Sequence, residues 1–332
     1  MKRSAIRDLT KAKEWRRIST GPTRHFYASR LLIGLPAANG LGETMIAVVG
    51  ATGNTGRGLV KELRALGEEP LAIVRNPEKA RNVLGADAKI AVAELTDRAA
   101  LEKALAGVTR VFVVTGHNPD MAAQQNNVLD AALKAGAKYL VRVSGGRAVV
   151  GPQSETALGR AHHAIEERLK ASGIGWVILR PGLFMQNTLS QAALIKNDSK
   201  MALPFAKDLP LALIDVRDTG AVGARILIDP VPHAGRTYEF TGALSNYGEF
   251  SQVFSEVLGR PIAYVETSPE QAEHALQARG LPDWLVAHQL AIARLAAKGA
   301  FSSENTGPIR EIVKRAATTT RRFVEDHKAV FS

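Results

Sequence analysis

Three glycines stand at Gly-x-x-Gly-x-x-Gly spacing in Gly50-Ala51-Thr52-Gly53-Asn54-Thr55-Gly56. The loop follows an apolar run, Met45–Val49, and leads into residues with helical periodicity. A grip on a diphosphate needs this order. The first glycine permits a tight turn, the second lets bare backbone approach an anion, and the third lets the helix pack closely on the strand. The helix N-terminus then offers free N–H groups and the positive end of its dipole. The loop is therefore expected to hold the diphosphate of a nicotinamide dinucleotide.

The residue ending the second strand chooses between the two nicotinamide cofactors. An acid there binds the ribose 2′-hydroxyl, whereas a base accommodates a 2′-phosphate. Here it is Arg75, 19 residues beyond Gly56, with Lys79 a helical turn on and Arg57 just after the loop. NADP(H) is the expected preference, with NAD(H) still possible.

The usual acid of short-chain dehydrogenases is missing. Those enzymes carry Tyr-x-x-x-Lys, in which lysine lowers the tyrosine pKa. The tyrosines are Tyr27, Tyr139, Tyr238, Tyr247 and Tyr264, and none has lysine four residues later. Ser144 stands where the serine of such enzymes stands. His162 and His163 fall roughly where the missing pair would be, and His162 is the candidate proton donor. Glu166, one helical turn from His162, either orients it or is a surface charge. The sequence has no His-Glu-x-x-His and no Walker pattern, so neither a zinc site nor an ATP site is expected.

Positioning these residues requires strands alternating with helices. Strands are expected at Met45–Val49, Leu71–Val74, Lys89–Val92, Val111–Val114, Tyr139–Val143 and Trp176–Leu179. Helices are expected at Thr55–Leu66, after Asp97, at Asp120–Ala135 and at Glu155–Ala171. This rhythm predicts an α/β fold: a Rossmann-type, doubly wound parallel sheet with right-handed crossovers. After residue 182 the rhythm changes. Phe250, Val253, Phe254, Val257 and Leu258 form an amphipathic stripe, and Trp284–Leu295 reads as a helix. The expected division is a dinucleotide-binding domain over 45–182 and a smaller, mainly helical C-terminal lobe over 183–332 for substrate or partner. That boundary is soft, because Leu211–Ile214 and Arg236–Phe240 look like strands able to extend the main sheet.

Composition narrows the function classes. The 332 residues are 45% hydrophobic and carry no cysteine, so a sizeable core forms without disulfides, and a reducing, cytoplasmic compartment is the expectation. No apolar run is long enough to span a membrane. Of the net charge of +11, more than half falls in residues 1–44, where nine Lys and Arg face three acids. The rest is scattered, which argues against a nucleic-acid footprint on the body. Residues 1–44 read as a disordered leader or a start assigned too early, with a targeting peptide and a basic arm as rivals.

Together the residues resemble the NmrA-like family of atypical short-chain dehydrogenases. The resemblance rests on the phosphate loop with Arg57, Val74-Arg75-Asn76-Pro77, Val143-Ser144-Gly145, the stretch from His162 through Glu166 to Gly173, and Leu179-Arg180-Pro181-Gly182-Leu183-Phe184-Met185-Gln186-Asn187. It implies that Gly50, Thr52, Gly53, Asn54, Thr55 and Gly56 hold the diphosphate and Arg75 the adenosine phosphate. Glu94 and Leu95 would lie on the adenine side, although the family more often has Asp at the first. Thr115 and Gly116 would lie beside the ribose, and Pro181, Gly182 and Phe184 around the nicotinamide, with Phe184 facing substrate. The family includes NAD(P)H:quinone oxidoreductases and redox-sensing regulators. The implied function is an NADPH-dependent reductase of a quinone or similar conjugated carbonyl. The small-molecule acceptor would take hydride directly, with water or His162 supplying the proton. The alternative is a non-catalytic NADP(H) sensor that presents its second lobe to a protein partner. The oligomeric state stays open.

Overall fold

Runs such as Ile46–Val49 and Arg110–Val113 are rich in β-branched residues and too short for stable helices, which makes them strands of a sheet covered on both faces. The computed structural model describes residues 45–332, so the readings of residues 1–44 lie outside the described residues. The first half runs β1 (Ile46–Val49), α1 (Asn54–Ala65), β2 (Leu71–Val74), α2 (Pro77–Leu84), β3 (Ile90–Val92), α3 (Arg98–Ala104), β4 (Arg110–Val113), α4 (Met121–Lys134), β5 (Tyr139–Val143), α5 (Ala157–Lys170) and β6 (Gly175–Pro181). The second half runs β7 (Leu183–Phe184), α6 (Ala192–Asp198), β8 (Lys200–Leu203), β9 (Leu211–Ile214), α7 (Val216–Ile228), β10 (Arg236–Phe240), β11 (Leu244–Ser245), α8 (Tyr247–Leu258), β12 (Ala263–Glu266), α9 (Pro269–Ala278), α10 (Asp283–Ala297), α11 (Thr320–Asp326) and α12 (Lys328–Phe331).

The main sheet has seven strands in the order β10-β6-β5-β4-β1-β2-β3, all parallel. Strand order reverses at β1, so a crevice opens between the loops after β1 and β4. Alternate strand residues face opposite sides. Ile46 and Val48 join a core with α1, α2 and α7, while Ala47 and Val49 join one with α3 and α4. This is the doubly wound fold the sequence predicted.

Capping side chains set several helix starts. Asp97 Oδ1 accepts from Ala100 N, as expected. Thr156 accepts from Gly159 N, which starts α5 at Ala157 rather than Glu155. Gly220 in α7 carries no side chain because an added Cβ would lie 2.6 Å from Leu59 N, so α7 and α1 cross with their backbones nearly touching.

The chain beyond residue 182 contributes to the main sheet and also forms small sheets of its own. Arg236–Phe240 adds the edge strand β10 to the main sheet, and α7 packs on α1. Leu211–Ile214 does not join the main sheet. It pairs with β7 and β11 in a three-stranded sheet, while β8 and β12 form a separate pair. The remaining helices enclose an aromatic core of Tyr247, Phe250, Phe254, Phe323 and Phe331. Among the described residues, no helix is long and apolar enough to cross a membrane.

Candidate functional site

Every candidate loop leaves the C-terminal end of a parallel strand, so one edge of the sheet gathers them: Gly50 after β1, Arg75 after β2, Glu94 after β3, Thr115 and Gly116 after β4, Ser144 after β5 and Gly182 after β6. Phe184, on β7, packs its half-buried ring against the α1–α7 core beside Ile214.

The three loop glycines do different work. Gly50 has φ +84°, and an added Cβ would sit 1.8 Å from Val114 O. Gly56 is excluded from growth by Gly50 O at 2.2 Å. Gly53 has an ordinary extended backbone (φ −77°, ψ 169°), and its only close neighbour would be Gly50 O at 3.4 Å. Nothing inside the protein therefore requires glycine at 53, whereas an anion held against the backbone does. Gly53 begins α1 with no side-chain cap, leaving the amides of Asn54, Thr55 and Gly56 without intrahelical acceptors. Thr52 is half-buried and Thr55 buried, while Asn54 is exposed and takes a 2.6 Å hydrogen bond from Arg57 Nη2. That bond ties Arg57 back to the loop. Arg75 and Lys79 are exposed beyond β2, where Asn76 caps α2. Glu94 is exposed, and Leu95 O accepts from Asn127 Nδ2 at 2.9 Å. Pro181 is buried, and an added Cβ on Gly182 would meet Ala212 O at 2.9 Å.

Beneath this edge lies a buried polar network. Arg142, on β5, is 1% exposed. Its Nε donates to Gln125 Oε1 (2.7 Å), Gln125 Nε2 donates to Thr115 Oγ1 (2.7 Å), and Arg142 Nη2 donates to His162 Nδ1 (2.7 Å). A guanidinium only donates, so Nδ1 must accept and the ring proton sits on Nε2. Burial first, then the nearby Arg142 charge, holds the His162 pKa well below its ordinary value. Neutral His162 offers a hydrogen bond from Nε2 but has no imidazolium proton to give near pH 7.

Ser144 is equally committed. Its Oγ donates to Glu166 Oε1 at 2.5 Å. Glu166 is fully buried and receives Arg180 Nε and Nη2 at 3.0 and 2.6 Å. Burial alone would raise the Glu166 pKa, but the hydrogen bonds from Arg180 and Ser144 bring it below its usual value. Glu166 is thus neither a surface charge nor the partner of His162. It anchors β5, α5 and β6 together, and Arg180 extends the anchor to Glu239 on β10 at 3.1 Å. Burial lowers the pKa of Arg142 to about 10, opposed by Glu166 4.0 Å away, which leaves it charged at neutral pH.

Sequence reasoning missed Arg142, Gln125, His117 and His288. A lone arginine inside the apolar strand Tyr-Leu-Val-Arg-Val was the available signal for the first, since a buried charge demands partners.

Fold and site together define a Rossmann-type α/β protein with a Gly-x-x-Gly-x-x-Gly loop at its switch point. The chain belongs to the NmrA-like family, whose model matches residues 42–311. It is 32% identical over 288 residues to the NAD(P)H azoreductase of Xenophilus azovorans, covering 86% of this chain and 99% of that protein. It is 34% identical over 291 residues to the (4-alkanoyl-5-oxo-2,5-dihydrofuran-3-yl)methyl phosphate reductase of Streptomyces griseus, covering 87% and 99%. Among solved structures it resembles the NADPH-dependent quinone oxidoreductase of Escherichia coli complexed with NADPH, with a TM-score of 0.74 and 27% identity over 85% of this chain and 99% of that one.

Proposed function

We propose that this protein is an NADPH-dependent reductase of a quinone or similar conjugated carbonyl. The observation that carries the reading is the uncapped start of α1 at the strand-order reversal, with Arg75 at the next strand end. The cradle fits the cofactor on two counts: the first amides of α1 have no side-chain cap, and Gly53 lacks a side chain where nothing in the protein forbids one. Gly50, Thr52, Gly53, Asn54, Thr55 and Gly56 would hold the diphosphate and Arg75 the 2′-phosphate. Glu94 and Leu95 would flank the adenine, Thr115 and Gly116 the ribose, and Pro181 and Gly182 the nicotinamide. The printed activities of the relatives, NAD(P)H-dependent reduction among them, support the same assignment.

When bound, NADPH would supply a hydride, and a quinone accepting it would become its hydroquinone anion. That anion is a weak base that takes its remaining proton from water. The protein's own residues match this division of labour. The Ser144 hydroxyl is engaged as a donor to the Glu166 carboxylate, and His162 is neutral, so neither serves as a strong acid. A simple ketone would need one, because an alkoxide is a far stronger base. What remains is holding two planar partners face to face, which proximity alone accelerates strongly. Phe184, on β7 next to Gly182, is placed at the substrate side in this reading.

Single-turnover mixing of protein-bound NADPH with a quinone panel tests the assignment, read as loss of reduced-nicotinamide absorbance. Oxidation faster than in free solution is expected. NADPH that binds tightly yet is oxidised no faster than in buffer would make the protein a cofactor sensor instead.

A further inference from the structure

Three histidines from three separate elements meet at the C-terminal edge of the sheet. His117 lies in the loop after β4, two residues beyond Thr115. His162 is on α5, and His288 comes from α10. The His117 ring stands edge-on to His162 (centroids 5.8 Å, 74°) and to His288 (5.4 Å, 81°). Among the described residues they form no metal-binding group. Nδ1 of His288 is buried and has no hydrogen-bond partner. A buried nitrogen left unpaired in a native fold asks for a missing partner.

The surroundings narrow what that partner is. Arg142 fixes His162 with its N–H on Nε2, beside Gly145, where an added Cβ would lie 3.2 Å from the ring. Trp284 is one helical turn before His288 on α10 and packs against Met121, Leu158 and Ile165. Burial keeps His288 neutral, with its pKa lowered to about 4, and the arginine beneath is engaged with Gln125 and His162. Burial lowers the pKa of all three rings, so the face they form is uncharged near neutral pH, and its rings stand edge-on to one another. A neutral, planar, conjugated carbonyl compound suits it: the ring stacks, and the carbonyl oxygen accepts a hydrogen bond.

We propose that His117, His162 and His288 wall the acceptor subsite, with His162 Nε2–H as a fixed hydrogen-bond donor and α10 as the element that sets acceptor preference. The proposal rests on the reductase reading above and adds the residues that choose the substrate.

The test uses the full chain and 1,4-naphthoquinone, titrated in the presence of NADP⁺ and read by quenching of tryptophan fluorescence. Trp284 is the reporter, and Trp284→Phe identifies its share of the signal. Saturable quenching that disappears in Trp284→Phe is expected. His288→Leu should weaken naphthoquinone binding about tenfold while leaving NADPH affinity unchanged, and His288→Asn, which keeps a polar group, should recover part of the loss. Circular dichroism confirms that each variant is folded, and His117→Leu replaces any that is not. Naphthoquinone affinity equal to the parent's in both leucine variants would overturn the proposal, as would an absence of saturable quenching in the parent. Failure of NADPH to bind at all would instead remove the reductase reading.

Discussion

Arg142 Nη2 lies 2.7 Å from His162 Nδ1, and both residues are buried. This contact decides the tautomer and charge of the histidine that the sequence offered as a proton donor. Arg142 also reaches Thr115 through Gln125, so a charge under the sheet edge orders the loop after β4 as well. Arg142→Met keeps the length but leaves Gln125 Oε1 and His162 Nδ1 without their donor and removes the charge 4.0 Å from Glu166. It should cost about 3–5 kcal/mol of stability, the range for removing one member of a buried charged pair. Urea unfolding measures this, and a loss below about 1 kcal/mol would mean that the network contributes little.

Burial of His162 and His288, reinforced at His162 by the Arg142 charge, predicts a pH dependence. His162 and His288 both have depressed pKa values in the folded protein, whereas in the unfolded chain they take up protons near pH 6.5. Below that value the unfolded state binds more protons, so stability falls as pH drops from about 6.5 toward the folded values. Buried His162 alone can steepen the fall by up to about 1.4 kcal/mol per pH unit. The urea midpoint should be lower at pH 5 than at pH 7, and the difference should shrink in His162→Gln, which keeps an acceptor for Arg142. An undiminished difference would assign the effect to other groups.

The loop glycines separate folding from binding. Gly53→Ala places a methyl group where the protein has room, on a backbone that alanine adopts freely. Stability should change by less than about 1 kcal/mol, because the lower unfolded-state entropy of alanine offsets its poorer fit at an N-cap, while NADPH affinity drops about tenfold or more. Gly56→Ala drives a methyl into Gly50 O and should lower both. Unaltered NADPH affinity in Gly53→Ala, measured by fluorescence titration, would move the cofactor elsewhere.

Arg75 stands exposed at the end of β2, with no side-chain hydrogen bond to other described residues. Arg75→Asp removes a cation suited to a 2′-phosphate and supplies an acceptor suited to a ribose 2′-hydroxyl. NADPH affinity should fall about a hundredfold and NADH affinity should hold or improve. Parallel losses for both nucleotides would show that Arg75 does not read the phosphate.

Ser144 stands where a short-chain dehydrogenase keeps a working hydroxyl, yet its O–H donates to the Glu166 carboxylate. Ser144→Ala should therefore change the rate of quinone reduction by less than about threefold, an activation difference below about 1 kcal/mol. Its cost should appear in stability, because Glu166 loses a donor. A collapse in rate at unchanged stability would restore Ser144 as an acid.

Local spacing alone was enough to predict the strand–helix alternation, the parallel sheet, the glycine turn that opens α1 and the position of Arg75 at the end of β2. Each depends on residues a few positions apart: apolar runs, a capping Asp97, glycines at turns. Other features depended on contacts between distant segments. Glu166 reads as a solvated helix charge until α5 is laid against β5 and β6, when Ser144 and Arg180 close around it. His162 reads as a proton donor until Arg142, twenty residues away in the chain, occupies its Nδ1. His288 carries no local signal, because only the packing of α10 over the sheet edge brings it to His117. Periodicity encodes which face of an element is buried. The charge and hydrogen bonding of a buried side chain depend on partners that only the folded chain supplies.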